Sequence, residues 1–579
     1  MSLNTTALLS QLSLQTTQNY VERHLPSLAR PSEQDASSTS SSDVSLAAGT
    51  DVDWQRGTNI HTLDEDILLL ILSLLDTDDL VACKRSCRLL SRVVANDARL
   101  QYALALSASG MVDGPPGEIV LGERIERLEA HRARMTRLVR NTAFSCEEHV
   151  WSRSEQRVQV LVCDRTVFYA VATGAGSYNV EIRSPGAAPR LVTVQLREDA
   201  CFQAADISQD LLIVGEIDVM SDGPRLKMHL LSIKTGKPHP AAAAPWIGVE
   251  CERATESPVH IFREKVVWQR CQSDPQAERD VEVWNWQTCE LVWRHAFRPQ
   301  VSYLFLDDNH LIVTAYRQEA VMIYALCEEG AASANGDAEP LLTLELPLGA
   351  FRCAVHYDDR SRIHRSSAIG GLPFVPDPAL AVTAIRFSIY APELSMALLL
   401  IPGATFYEQL RIGRAENGPR SRKVFWHEWA PKGALLLNMS SPLLVGRISF
   451  NTCGSRIALI TQKTSLLYRK VSLEVVILDL CSRAVQAVIN SRQLKGRNTH
   501  RTMSSDDASL LQFSTLRATT SHVFSVGPGL HCPDRHCPTM ISMDDDGFIV
   551  MNEWEPPYQQ RSGFGYQAFT YKTRGGGIS

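Results

Sequence analysis

Four soft metal ligands stand within seven residues: His531, Cys532, His536 and Cys537, in the stretch HCPDRHC. Zinc takes Cys and His in a tetrahedron, but its sites bring ligand pairs together from separated places. These four are crowded into one Pro-bounded stretch, which reads as an inter-strand loop, and no metal site is assigned. Asp544, Asp545, Asp546 and Gly547 have the acidic run of a calcium loop without its spaced oxygens or terminal Glu, and read as a turn. His427-Glu428 is not followed by the second His of a zincin. Gly236-Lys237 has no phosphate-cradling loop before it, and Gly174-Ala175-Gly176 lacks the third glycine of a dinucleotide fold. There is no G-x-S-x-G elbow. Trp426 and Trp429 near Phe425 are either a hydrophobic binding patch or the core aromatics of a strand, and core is the preferred reading. The sequence therefore assigns no catalytic residue and no cofactor. The absence of these motifs lowers the case for an enzyme without excluding one.

The most telling element spans residues 60–106. Between Leu63 and Leu75 only Asp64, Glu65, Asp66 and Ser73 interrupt a run of Leu and Ile. A helix apolar all round has to be buried, in a core or against another protein. It is too short for a bilayer, which takes about 20 residues. Thr62 and Glu65 have the spacing of a capping box, so the helix is expected to start there. The run Asp76-Thr77-Asp78-Asp79 stops it and sets carboxylates at the next helix N-terminus, where the helix dipole favours them. Cys83 and Cys87 follow at helical spacing; Leu89, Leu90, Val93 and Val94 supply another apolar face, and Asp97 can cap a fourth helix.

This stretch resembles an F-box. Leu63, Ile67, Leu68, Ile71, Leu72, Ser73, Leu74, Leu75, Asp79, Leu80, Cys83, Cys87, Arg88 and Leu89 occupy the positions of that pattern. It departs from the pattern at Asp64, where Pro is usual, and at Gln101 or Tyr102, where Trp is usual. The segment after it is similar to the helix-and-turn extension of many fungal F-box proteins. The resemblance implies that the helices dock on the small adaptor protein of a cullin–RING ubiquitin ligase. The adaptor-binding residues it implies are Leu63, Ile67, Leu68, Ile71, Leu72, Leu74, Leu75, Leu80, Cys83, Cys87 and Leu89.

Over the whole chain, 44% hydrophobic and 21% charged residues in 579 allow several domains with a large core. A net charge of -6 gives no support to nucleic-acid binding, which usually shows a basic domain or stripe. No Lys or Arg precedes Arg23 and no continuous apolar stretch follows the first Met, so no signal peptide is expected. Apolar runs such as 67–72 and 396–401 are too short for membrane spans. The 14 cysteines are scattered, as free thiols are in a reducing compartment, which makes cytoplasm or nucleus the expected location.

In chain order, residues 1–59 are polar and Ser/Thr-rich and read as a disordered N-terminal region, since they carry too little apolar surface to offset ordering entropy. Residues 60–109 are the helical cluster, and 110–143 a linker. Gly110 is placed to end the last helix of the cluster, and the run from Val112 to Gly117 reads as a turn. Leu121, Ile125, Leu128, Met135, Leu138 and Val139 recur at helical spacing, so 121–139 reads as one connecting helix whose arginine face is solvated.

Beyond residue 144 the pattern changes. Nine of the ten Trp lie past residue 150, among short runs rich in Val, Ile, Tyr and Phe bounded by Gly, Pro, Asp and Asn. Many short strands and almost no helix indicate an all-β domain over 144–556, with 557–579 as a loose Gly-rich tail. HLLSIKTGK (229–237), VEVWNWQTCE (281–290), AVMIYALCEEG (320–330) and LEVVILDLCSR (473–483) share a form that is similar to the WD-repeat strand and its turn. At about 40–50 residues per blade the region holds six to eight blades of a β-propeller. A pair of large β-sandwiches is the alternative. A closed ring requires strands near Val158 to neighbour those near Phe548–Val550. Insertions fall at 328–340, 358–378, 415–422, 491–508 and 527–538, and loops on one face are expected to form a binding surface.

The fold class is thus an all-α F-box-like cluster followed by an all-β, propeller-like domain. The function the F-box resemblance implies is a non-catalytic substrate-recognition subunit of a cullin–RING ligase. Its partners are then the ligase adaptor and a protein substrate, with no nucleic acid and no membrane. The alternatives are a propeller-based enzyme of the hydrolase class and a non-ligase scaffold.

Overall fold

The computed structural model describes residues 63–571, apart from 115–118, 139–143, 153–157, 164, 175, 198, 221–222, 251–257, 271–278, 299–300, 316–318, 327–338, 348–349, 357–372, 391–393, 418–420, 439–449, 466–469, 481–519, 526–538, 544–546 and 555–562. The Ser-rich N-terminal region, the HCPDRHC stretch and Asp544–Asp546 lie outside the described residues, as do the 491–508 insertion and most of the others. The chain divides into two compact units between Leu104 and Ala105.

The first unit is helical. Its helices are α1 (Glu65–Ser73), α2 (Thr77–Ser86), α3 (Arg88–Asn96) and the first part of α4 (Ala98–Ala108). Leu68 and Leu72 of α1, Leu80 of α2, Leu90, Val93 and Val94 of α3 and Leu100 of α4 form one core. Full burial of a side chain this size contributes roughly 1.5–3 kcal/mol. Local chemistry sets the helix starts. The Asp76 carboxylate accepts from the backbone N–H of Asp78 and Asp79 and caps α2. The Asp97 carboxylate accepts from Leu100 N and caps α4. Thr62 of the expected capping box lies outside the described residues, and α1 starts two residues later than that box requires. Asp64 occupies the cap position in extended conformation with no side-chain cap bond, so Glu65 is the first helical residue and not the third.

The second unit opens within α4, which Gly110 ends with a φ of +68°. Of the turn expected over Val112–Gly117, Val112 and Asp113 are strand, and 115–117 lie outside the described residues. Met111–Asp113 pairs antiparallel with Phe374–Pro376 from a distant loop. Gly114 is required there, because a Cβ would lie 2.8 Å from the Pro373 carbonyl oxygen. The connecting helix α5 (Leu121–Leu138) is docked against this ribbon. Leu128 is buried, and the buried His131 ring meets Phe374 edge-on at 5.5 Å. Arg124, expected on the solvated face, is buried and bonded to Asp113 at 2.6 Å. Periodicity cannot foresee this, because the partner carboxylate comes from a strand the sequence does not announce.

The rest of the unit is β. Among the described residues, seven sheets of four strands follow one another, one of them extended to five. Six are consecutive: blade one (158–195), blade two (201–250), blade three (260–297), blade four (301–345), blade five (350–438) and blade six (450–525). In each the chain runs from innermost to outermost strand as an antiparallel meander. Blade seven is built from Thr539–Met543, Gly547–Trp554 and Gly563–Tyr571, with the N-terminal strand Phe144–Ser152 paired outermost. Innermost strands of neighbouring blades touch around most of the ring. The last join is a shared core of Trp151, Tyr566, Ile549 and Met551 from blade seven with Val167 and Tyr169 from blade one, Val158 lying against it. The ring is therefore closed, as expected, and the β-sandwich alternative is set aside.

Two further expectations fail in the β region. Residues 563–571 are not loose tail; their small and aromatic residues sit in the middle of blade seven, with Tyr566 and Ala568 buried. The β region also contains helices. Blade five carries α6 (Gly403–Asn417) and α7 (Trp426–Gly433) between its third and outermost strands. Between those helices, Arg422–Val424 adds to blade four as a fifth, parallel strand. Trp429 of α7 is buried and donates its indole N–H to the Glu345 carbonyl, which makes it a core aromatic of a helix and not of a strand.

Candidate functional site

The surface that distinguishes this chain is on α1. Nine large apolar side chains stand exposed among the described residues, and four of them fall within eight consecutive positions. These are Ile67 (48% exposed), Leu70 (64%), Ile71 (44%) and Leu74 (80%). Their spacing of three, four and seven places them along one stripe of the helix. Leu68 and Leu72, on the opposite stripe, are buried in the helical core. The all-round apolar character of α1 is thus two surfaces back to back: one closes the core and one is open. Ser73 Oγ bonds to the Leu70 carbonyl, and Leu74 takes the C-cap position, so the stripe runs to the last turn.

The sequence-derived residues divide accordingly. Ile67, Ile71 and Leu74 are on the open stripe. Leu68, Leu72 and Leu80 are core. Leu63, Leu75, Cys83, Cys87 and Leu89 are partly buried and pack on that core from outside. Leu70 belongs to the stripe and was missed, although its i+3 spacing from Ile67 was a usable signal. A family scan matches residues 60–102 to the F-box domain.

Residues 60–102 are an F-box domain.

The F-box is followed by the propeller, and this pairing fits a substrate-recognition adaptor. Several solved structures are similar at low identity. One is the WD40 domain of SCAP from fission yeast, 9% identical over 74% of this chain and 98% of that one, TM-score 0.33. Another is the β-propeller domain of the Trilobed protease from Pyrococcus furiosus, 8% identical over 72% and 94%, TM-score 0.37. A third is the acylaminoacyl peptidase of Pyrococcus horikoshii, 6% identical over 70% and 49%, TM-score 0.33. A search of curated proteins finds no match. The fold assignment rests on the strand order and the closure of the ring.

Chemistry-bearing residues of the propeller are mostly tied into turns. Gly174, Gly176 and Gly236 all have positive φ and serve turns between strands. Glu428 reaches back to the Phe425 backbone N–H at the start of α7, beside the His427 ring stacked on Phe425. No group of three or more His, Cys, Asp or Glu side chains capable of holding a metal ion occurs among the described residues. No described helix is long and apolar enough to cross a membrane.

One polar network is of a different kind. On blade two, Glu216 and Asp218 lie side by side on the second strand. Asp218 bonds Lys227 at 2.5 Å and approaches Arg197 at 3.5 Å. Glu216 bonds His229 at 2.9 Å and approaches Arg197 at 3.8 Å. The hydrogen bond from Lys227 holds the Asp218 carboxyl below the usual range. Burial pushes the His229 pKa down, against the pull of Glu216. The Lys227 ammonium sits 5.0 Å from the centre of the exposed Trp246 ring.

Proposed function

We propose that this protein is the substrate-recognition subunit of a cullin–RING ubiquitin ligase. The F-box takes the ligase adaptor, and the propeller holds the target protein. The observation that carries the reading is the open stripe Ile67, Leu70, Ile71 and Leu74 on an F-box whose core is already complete without it. Apolar side chains concentrated this way mark a protein interface. An adaptor groove would bury them as a helix-in-groove contact, with anchors at i, i+3, i+4 and i+7.

The chain itself breaks no bond in this scheme. It raises the effective concentration of substrate lysines near the ubiquitin-charged enzyme. Its partners are then proteins, and it works where the ligase is found, in cytoplasm or nucleus. Reconstitution tests the reading. Purified full-length chain should co-elute with the adaptor and, through it, with the cullin–RING core, and should support ubiquitin transfer to a bound target. A chain that binds the adaptor yet never joins the cullin would be a scaffold; one that does not bind it at all would overturn the proposal.

A further inference from the structure

Charge in the helical unit is sorted rather than paired. Residues 63–79 hold six acids, Asp64, Glu65, Asp66, Asp76, Asp78 and Asp79, and no Lys or Arg. Residues 80–104 hold five bases, Lys84, Arg85, Arg88, Arg92 and Arg99, against Asp97 alone, and the Asp97 carboxylate is taken up by the α4 cap. Arg85, Arg88, Arg92 and Arg99 are exposed. None of the four has a carboxylate partner among the described residues, where every ion pair lies in the second unit.

Folding gives no reason for these arginines. A helix N-terminus favours anions and a C-terminus cations. α1 and α2 follow that rule, with Glu65 and Asp66, then Asp78 and Asp79, in their first turns and Lys84 and Arg85 in the last turn of α2. α3 and α4 break it. Arg88 is the first residue of α3, whose first turn has no acid and whose N-cap, Cys87, makes no side-chain cap bond. Arg99 stands second in α4, again with no acid in the first turn. Arg92 follows Arg88 at i+4, a spacing at which like charges repel. Both lie on the side of α3 opposite the buried Leu90, Val93 and Val94. Local choices that oppose stability without a compensating contact are expected where a surface has a function. A uniform polyanion such as nucleic acid would also meet the six acids of the same compact unit. The arginine face therefore suits a protein surface with acids of its own in one place.

We propose that Arg88 and Arg92, with Arg85 and Arg99 on either side in sequence, are a second contact for the ligase adaptor and take an acidic patch on its surface. The open stripe of α1 supplies the apolar contact. The arginines steer the encounter and fix its orientation, since unpaired charges at an interface act chiefly on the association rate. The inference rests on the adaptor-binding reading above.

Stopped-flow mixing of the full chain with purified adaptor tests it. The parental association rate should fall steeply as salt rises from about 50 mM to about 1 M, where the screening length is about 3 Å. At the lower salt, Arg88→Glu/Arg92→Glu should slow association at least about tenfold, change dissociation much less, and lose most of the salt dependence. Its thermal midpoint should hold or rise, because the clash with the α3 N-terminus is removed. Arg88→Lys/Arg92→Lys should keep the parental rate. So should Lys234→Glu/Lys237→Glu, which makes the same change in net charge on an exposed turn of blade two. Equal slowing by the blade-two variant overturns the proposal, since net charge alone would then explain the effect. Association indifferent to the arginine reversal, in a chain whose binding Leu70→Ala/Leu74→Ala weakens, overturns the arginine contact and leaves the receptor reading standing. A parental chain that does not bind the adaptor overturns both.

Discussion

Changing Leu70 and Leu74 together to Ala separates the open stripe of α1 from its buried one. Each change removes three carbons, worth about 0.8 kcal/mol apiece when fully withdrawn from water. Leu70 is already 36% covered and Leu74 20% covered in the free chain, since 64% and 80% remain exposed. Scaling by that exposure gives about 1.5 kcal/mol for Leu70 and about 1.9 kcal/mol for Leu74. At about 1.4 kcal/mol per decade, the pair should weaken adaptor binding by roughly 300-fold. Folding should be untouched, because neither side chain belongs to the helical core. Leu72→Ala is the contrast. It empties a core position that is 2% exposed and should cost about 3–5 kcal/mol of stability. A unit this small has little stability to spare. The assay is calorimetric titration of the full chain with purified adaptor, beside thermal unfolding followed by far-ultraviolet circular dichroism. Leu70→Ala/Leu74→Ala should lose affinity and keep its melting curve; Leu72→Ala should lose the low-temperature part of the curve. If the double variant binds the adaptor within tenfold of the parent, the open stripe is not the interface and the argument from exposure is wrong.

Two further predictions concern the propeller. Trp151 of the closing strand stacks on Tyr169 at 4.7 Å and donates its indole N–H to Glu181 at 2.8 Å, so Trp151→Ala should destabilise the ring by about 3–5 kcal/mol, read as a lower urea midpoint for the β unit. Burial holds the phenols of Tyr324 and Tyr566 up at about 12. Their raised pKa contributes stability that is complete below the ordinary tyrosine value of about 10 and is lost as pH rises toward 12. Unfolding free energy should therefore fall across that window, and Tyr324→Phe should flatten the fall; a pH-independent midpoint from 9.5 to 12 would refute it.

The F-box was legible because its information is local. Caps at Asp76 and Asp97, breaks between short helices and a dense Leu/Ile run are all set by neighbours in sequence. The β character of the remainder was legible for the same reason, and the ring followed from strand length and spacing. What the sequence alone could not decide is which half of an apolar helix is covered. Leu72 and Leu70 are two residues apart and chemically identical; only the packing of α2, α3 and α4 makes one core and leaves the other open. The same holds for Arg124, which pairs with Asp113 only because Met111–Asp113 is anchored by a strand more than 260 residues away, Phe374–Pro376. Residues 563–571 looked like tail because Gly and polar residues weaken the strand signal, yet ring closure supplies them with a neighbour on each side. Local chemistry writes caps, turns and periodicity into the chain; burial depends on what arrives from elsewhere, and only the tertiary structure decides that.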